Sequence, residues 1–242
     1  LLAVKKDKAF VTRHTMEKTM EEKYFFRSRL EQVHTPARAP EARPRRGEVE
    51  IDGSWRIVIP VGADLVVRTV AGDLRDYFLV AMGVRLGIVV CTGDNGKSSG
   101  GRIVICGFSD LPPGLSGPPS DENSCRVACD GADVFVAGTS WKEAAHGCHE
   151  LENILSLRKG PFMRKGSRDF VRRFSPRMIH SGWGLDIFPD NYLNKIAHAG
   201  FDSILAYYKR ADASSPEKIA EVEDLIRRAS AFGIGVYLYL DA

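Results

Sequence analysis

The sequence predicts an α/β protein in which a mixed-sheet domain precedes a parallel run of strand, helix, strand, helix, strand. Three observations predict it. The last third alternates short apolar runs with amphipathic helices closed by glycine, at Gly200 and Gly233. The middle carries further apolar runs, a hairpin signal at Asp130-Gly131 and a capping-box helix start at Ser140 with Glu143. The first 47 residues share neither pattern and end in a Pro/Arg-rich stretch.

In the last third, Phe174 to Gly184 reads as a strand with its exit loop, and Asp190 to Ala199 as a helix. Phe201 to Tyr208 is the second strand, Ser215 to Phe232 the second helix, and Ile234 to Leu240 the third strand. Asp190 and Ser215 are side chains suited to accept hydrogen bonds from free N–H groups at helix starts, and Pro216 fits the first helical position. Ile219, Val222, Leu225, Ile226, Ala229 and Phe232 recur at helical spacing as one apolar stripe. The third strand, Ile-Gly-Val-Tyr-Leu-Tyr-Leu, is nearly continuous in apolar and aromatic residues, as a covered parallel strand is. Two successive crossovers imply a parallel sheet, either an open doubly wound sheet or a barrel, with chemistry at the carboxyl ends of its strands.

Upstream, Trp55 to Val61 is a strand and Ala63 to Met82 a helix with Val66, Val70, Leu74, Tyr77, Phe78 and Ala81 on one side. Leu86 to Cys91 and Arg102 to Cys106 are short apolar strands. Ser124 to Cys129 and Asp133 to Ala137 form the hairpin, followed by a helix from Ser140 to about Leu157. Lys159 to Arg173 is basic and polar and is expected to wrap onto the following domain. Met16 to Leu30 reads as a charged helix, and His34 to Arg46 as an extended, solvated tether. The expected divisions are therefore residues 1–47, a helix and linker; 48–160, a small α/β domain; and 161–242, the parallel unit.

Composition narrows the function classes. Apolar content of 44%, charged content of 27% and a net charge of +3 describe a soluble globular protein with no strong demand for a polyanion, so nucleic acid is not an expected partner. No run approaches the ~20 apolar residues needed to span a bilayer, so no membrane partner is expected. The five cysteines, Cys91, Cys106, Cys125, Cys129 and Cys148, are odd in number and lie in apolar segments. They read as buried free thiols, which favours a reducing, intracellular setting.

Several motifs weaken on inspection. Gly96-Lys97-Ser98 lacks the glycine five residues earlier, where Cys91 stands, and is followed by a strand where a phosphate loop requires a helix. A nucleotide-handling protein is thus the weakest of the readings. His146 and His149 share a helix face, but no further ligands are evident, so no metal and no cofactor are expected. The strand ends of the last third are richer. Arg177, His180 and Trp183 lie along or after the first strand, Tyr208 ends the second, and Asp241 ends the third. Aromatic faces, a guanidinium and a carboxylate suit sugar binding, because pyranose rings stack and their hydroxyls take charge-assisted hydrogen bonds. Tyr207 and Tyr239 stand at the same strand ends and read either as part of this aromatic set or as core.

From about residue 48 onward the chain resembles the β-N-acetylhexosaminidases, family 20 glycoside hydrolases. The likeness rests on Leu74-Arg-Asp-Tyr77 to Met82-Gly83-Val84, on Asp130-Gly-Ala-Asp-Val-Phe-Val-Ala-Gly138 followed by Trp141 to Leu155, and on Ala199-Gly-Phe-Asp-Ser-Ile-Leu205 with Ile226-Arg-Arg-Ala-Ser-Ala-Phe-Gly-Ile-Gly-Val236. The resemblance implies a small α+β domain followed by the first three βα units of a (β/α)8 TIM barrel. It implies that Arg177 matches an arginine holding sugar hydroxyls. Met178 follows where the family carries glycine, and Gly182 stands where it carries aspartate. The family's Asp-Glu pair lies on the fourth barrel strand, so the catalytic acid is expected beyond Ala242. The chain then reads as the N-terminal portion of a glycoside hydrolase acting on a carbohydrate substrate, inactive alone. Its third strand needs the remaining barrel strands or a partner surface as cover. The alternative is a non-catalytic carbohydrate- or protein-binding module.

Overall fold

The computed structural model describes residues 32–91, 100–119, 121–180, 188–209 and 215–241, the side chains of Tyr208, Lys209, Leu240 and Asp241 excepted. Two compact units divide at residue 33. Of the first, only Gln32 and Val33 are described, as extended chain, so the predicted helix at Met16 to Leu30 lies outside the described residues. Everything below concerns the second unit, residues 34–242.

Its first half is built on a six-stranded mixed sheet. The strands are β2 (Arg56–Pro60), β3 (Gly87–Cys91), β4 (Arg102–Gly107), β5 (Ser124–Cys129), β6 (Val134–Gly138) and β8 (Gly166–Val171), in the order β3-β2-β4-β6-β5-β8. β2, β3, β4 and β6 are mutually parallel, and β5 pairs antiparallel with both β6 and β8. A two-stranded ladder joins β1 (Glu48–Glu50) to β7 (Phe162–Arg164). Residues 162–171, read from sequence as a wrapping segment, are thus two strands of the small domain, which moves its end past residue 160. Polar alternation hides them: Gly166-Ser-Arg-Asp-Phe-Val171 is an edge strand with only Asp169 and Phe170 partly covered.

One face of this sheet is covered by α1 (Leu65–Tyr77) and α2 (Trp141–Arg158). The apolar stripe Val67, Val70, Ala71, Leu74 and Tyr77 sets the face of α1, which continues through a wider π-type turn, Phe78–Met82, to Gly83 at φ +69°. The Ser140 hydroxyl caps α2 by accepting from the Glu143 N–H at 3.2 Å. Ile57, Ile59, Ile103, Ile105, Val134 and Val136 of the sheet meet Leu74, Phe78, Cys148 and Leu151 in one buried core. Among the described residues all five cysteines are free thiols, four of them buried, as the sequence indicated.

The segment read as a tether, residues 34–46, instead lies along this domain. The N–H groups of Ala37 and Arg38 both donate to the Ala81 carbonyl at 2.9 Å, and Ala39 N–H donates to Lys159 O at 3.0 Å. The carbonyls left unpaired where the two helices end are what hold it.

The second half is the parallel unit: β9 (Met178–His180), α3 (Asp190–His198), β10 (Ser203–Lys209), α4 (Pro216–Ala231) and β11 (Gly235–Asp241), with strand order β11-β10-β9. Both pairings are parallel, with Ile204 opposite Ile179 and Val236. Gly200 (φ +79°) and Gly233 (φ +71°) end the helices in the left-handed conformation. The cap prediction was less successful. Pro189, not Asp190, is the residue preceding α3, and the Ser215 hydroxyl donates to Glu217 Oε2 at 2.6 Å rather than accepting from the helix. Leu193, Ile196, Ala197, Ile204, Ala206, Leu225, Ala229 and Ile234 form the second core. α4 packs on α1 and α3 on α2, so the small domain's helices lie between its sheet and the helices of the parallel unit. No described helix is long and apolar enough to cross a membrane.

Candidate functional site

Side chains alternate along parallel strands, so register sorts the parallel sheet into two faces. Ile179, Ile204 and Val236 face the helices and the core. On the other face His180, Leu205 and Tyr237 form one row across the three strands, and Tyr207 with Tyr239 form the next. Tyr207 and Tyr239 stack with ring centroids 5.6 Å apart and planes 22° from parallel. Tyr239 is 52% exposed and Tyr237 47%, and His180 is also exposed. Beyond this row the backbones of Lys209 and Asp241 pair at the carboxyl ends of β10 and β11. In sequence Tyr207 and Tyr239 stood at the strand ends with both readings open, sugar-facing aromatics or core, and their stacking on one face was not foreseen. The signal was Tyr237-Leu-Tyr239, a period of two on a strand whose apolar partners Val236 and Leu238 obscured the alternation.

The predicted site residues separate on this frame. His180 stands on the aromatic face at the end of β9. Tyr208 and Asp241 lie at the ends of β10 and β11 by backbone register, while their side chains, like all of Trp183, lie outside the described residues. Arg177 does not join them. It immediately precedes β9, at the amino ends of the strands, where its N–H donates to Asp202 Oδ1 at 2.7 Å and its carbonyl accepts from Asp202 and Ser203. Its Nη1 lies 3.4 Å from where a side chain on Gly200 would begin, so the guanidinium fills the space beneath the α3–β10 turn. β9 is only three residues long, and the strand predicted to contain Arg177 begins after it.

Two other places hold chemistry. A cavity of about 580 Å³ lies on the sheet face of the small domain away from α1 and α2, lined by Val58, Ile59, Val104, Ile105, Cys106 and Phe135 among others. Its wall is mostly apolar but includes Arg102 and Asp110, and burial pushes the Cys106 thiol up to about 12, away from reactivity. The loop Gly96-Lys97-Ser98 lies outside the described residues. Between the helix layers, His149 of α2 is buried and tilted over His198 of α3, centroids 4.1 Å apart. His146 sits 3.5 Å from Glu150 and does not share a ligand set with it. Burial opposes charging His198, but hydrogen bonds to Asp73 and Glu152 prevail and push its pKa up to about 10.

No protein-family model matches the sequence, and no curated protein matches it. Solved structures do. The family 20 β-N-acetylhexosaminidase of Streptomyces coelicolor A3(2) superposes with a TM-score of 0.59 at 16% identity, covering 84% of this chain and 44% of that one. The shared feature is the fold. A Flavobacterium johnsoniae chitobiase gives 0.58 at 13% identity, covering 81% of this chain and 32% of its own. The structure of CpGH84D gives 0.62 at 12%, covering 81% and 35%. This chain therefore spans less than half the length of each of these three structures, and over that span it has the mixed α/β fold found in TIM-barrel glycosidases.

Proposed function

We propose that this chain is the amino-terminal part of a β-N-acetylhexosaminidase-like glycoside hydrolase, comprising the small domain and the first three βα units of its barrel. Sugar binds at the carboxyl ends of β9 to β11, against Tyr207 and Tyr239, with His180, Trp183, Tyr208 and Asp241 supplying further contacts. The observation that carries this reading is the stack of half-buried Tyr207 on exposed Tyr239, on the strand face opposite the helices. An apolar ring pair beside polar strand ends is what a pyranose needs: one face to stack on and hydrogen-bonding groups at its rim. Arg177 is left out of this set because it lies at the amino ends of the strands.

Glycoside cleavage requires a proton donor to the leaving oxygen, with a second carboxylate or the substrate's own acetamide opposite it. We assign the donor to a strand outside these 242 residues, and the same strands would cover the exposed side of β11. The experiment compares two proteins with an aryl N-acetyl-β-glucosaminide. The 242-residue chain should release no aryl alcohol, whereas the gene product extended through a fourth strand should. Failure of the extended protein to cleave any aryl glycoside, while still binding N-acetylglucosamine, would move the assignment to a non-catalytic carbohydrate-binding module. The uncovered aromatic face, Tyr237 included, is the feature favouring that second reading.

A further inference from the structure

Four ligand-type side chains from four separate segments converge between the helix layers: His34 of the leading segment, Asp73 of α1, Glu152 of α2 and His198 of α3. One ligand atom from each lies within 4.8 Å of the others. His34 Nε2 is 2.9 Å from Asp73 Oδ1, and His198 Nε2 is 2.9 Å from Glu152 Oε2 and 3.1 Å from Asp73 Oδ2. His34 Nδ1 is 3.9 Å from Glu152 Oε2. We propose that His34, Asp73, Glu152 and His198 bind a divalent transition-metal ion of the zinc class, which clamps the leading segment and the parallel unit onto the small domain.

The ligand spacing fits. Zinc–nitrogen and zinc–oxygen bonds near ~2.0 Å place neighbouring tetrahedral ligands roughly 3.3 Å apart; the closest nitrogen–oxygen contacts here are 2.9–3.9 Å, and one ligand atom from each of the four side chains lies within 4.8 Å of the others, so small side-chain adjustments would close the set on one ion. Imidazole nitrogen and carboxylate oxygen are both zinc ligands, and two imidazoles favour a transition metal over magnesium or calcium.

The surrounding bonds orient the set as outer-shell partners orient metal ligands. His198 Nδ1 lies 2.8 Å from the Asn194 carbonyl; the carbonyl only accepts, so Nδ1 carries a proton and Nε2 is the atom turned toward both carboxylates. A cation bound between Nε2 and the two carboxylates would take the place that a second imidazole proton otherwise fills. The Asn194 side-chain amide donates to Asp73 Oδ1 at 2.5 Å, fixing that carboxylate as well. His34 is held edge-on between Tyr77 and His198, with ring centroids 5.6 and 5.3 Å away.

A second, independent observation points to the same ligand. The Asp73 side chain is only 9% exposed, and its Oδ2, which faces His198 Nε2 at 3.1 Å, is buried without a hydrogen-bond partner, as is Glu152 Oε1. Such an orphan oxygen is costly unless a cation meets it. Charge agrees. Among the described residues the ion pairs of Asp73 and Glu152 are with histidine alone. A divalent ion with neutral imidazoles balances two ionised carboxylates.

The test uses the full 242-residue chain, stripped with a chelator and titrated with Zn²⁺ by calorimetry and with Co²⁺ by visible absorption. The expected result is one equivalent bound, the intense visible bands of four-coordinate cobalt, and a higher melting temperature with zinc. His34→Gln, placed outside any helix, and Glu152→Gln should each weaken binding at least tenfold. Circular dichroism establishes that the variants are folded, and the cobalt spectrum of the unaltered chain requires no variant. Absence of saturable binding would overturn the proposal and leave the cluster held by a proton on His198. Binding of unchanged strength in both folded variants would overturn it too.

Discussion

Arg172 Nη1 lies 2.8 Å from Asp202 Oδ2, with both side chains at least 95% buried, and this pair ties the two halves of the molecule together. Arg172 immediately follows β8 and Asp202 immediately precedes β10. The same guanidinium reaches Glu143 in the first turn of α2, its Nε donating at 2.9 Å. Burial works against ionising Asp202, but the Arg177 N–H and the charges of Lys142 and Arg172 outweigh it and hold the carboxyl below the ordinary range. Removing one partner of such a buried set strands the others. Asp202→Ala should therefore destabilise the chain by about 3–5 kcal/mol in urea unfolding. Asp202→Asn, which keeps an acceptor for the Arg177 N–H, should cost less. Equal and negligible losses in both would show that the two halves do not depend on this contact.

Two helical glycines should respond to alanine with opposite signs. Gly72 in α1 has nothing within 4 Å of an added methyl group, so Gly72→Ala gains helix propensity alone and should stabilise by roughly 0.5–1 kcal/mol. At Gly147 in α2 the methyl would lie 2.7 Å from Val136 Cγ1 and 3.3 Å from Cys125 Cβ. α2 approaches β5 and β6 too closely there, and the overpacking should exceed the propensity gain, for a net loss of about 1–3 kcal/mol. Thermal unfolding of the two variants measures both signs.

How much of this was legible in the sequence depended on the range of the interaction. Periodicity located the helices and the hairpin, because the Val67 to Tyr77 stripe and the Asp130-Gly131 turn are local. Gly200 and Gly233 ended their helices for the same reason. β7 and β8 were missed because edge strands need no apolar alternation and are defined by partners distant in sequence, β8 by Ser124–Cys129 and β7, over 100 residues away, by Glu48–Glu50. Arg177 illustrates the limit at the site: the sequence placed it near the first strand, but which end it occupies depends on the pairing of Met178 with Ser203. The histidine and carboxylate cluster was invisible, since His34, Asp73, Glu152 and His198 have no common spacing.

If the aromatic platform takes a sugar, Tyr239→Ala should weaken N-acetylglucosamine binding by about five- to tenfold, the range for losing one stacked ring. Because Tyr239 is half exposed, its loss should shift the melting temperature little. Chemical-shift titration separates the two readouts. Undiminished affinity in the variant would remove Tyr239 from the site and with it the geometric basis for placing sugar there.

His146 supplies a pH dependence of definite sign. Burial, reinforced by the Arg177 charge and opposed by Asp202, pushes its imidazole down to about 4. Lys142 precedes it by one turn, and Glu150 Oε1 at 3.5 Å is beyond a good hydrogen bond. The unfolded chain, with an ordinary histidine near ~6.5, binds the extra proton first, so between these values it holds more protons than the folded state. Stability must therefore fall as pH drops from about 6.5 to about 4 and gain nothing further from this group below that. The imidazole is 15% exposed, and the loss across the window should be about 1–3 kcal/mol. His146→Gln removes the titration while keeping a polar side chain, so its stability profile should be flatter than that of the parent over the same interval. Parallel profiles for the two proteins would mean that the imidazole is solvated and titrates normally in the folded state.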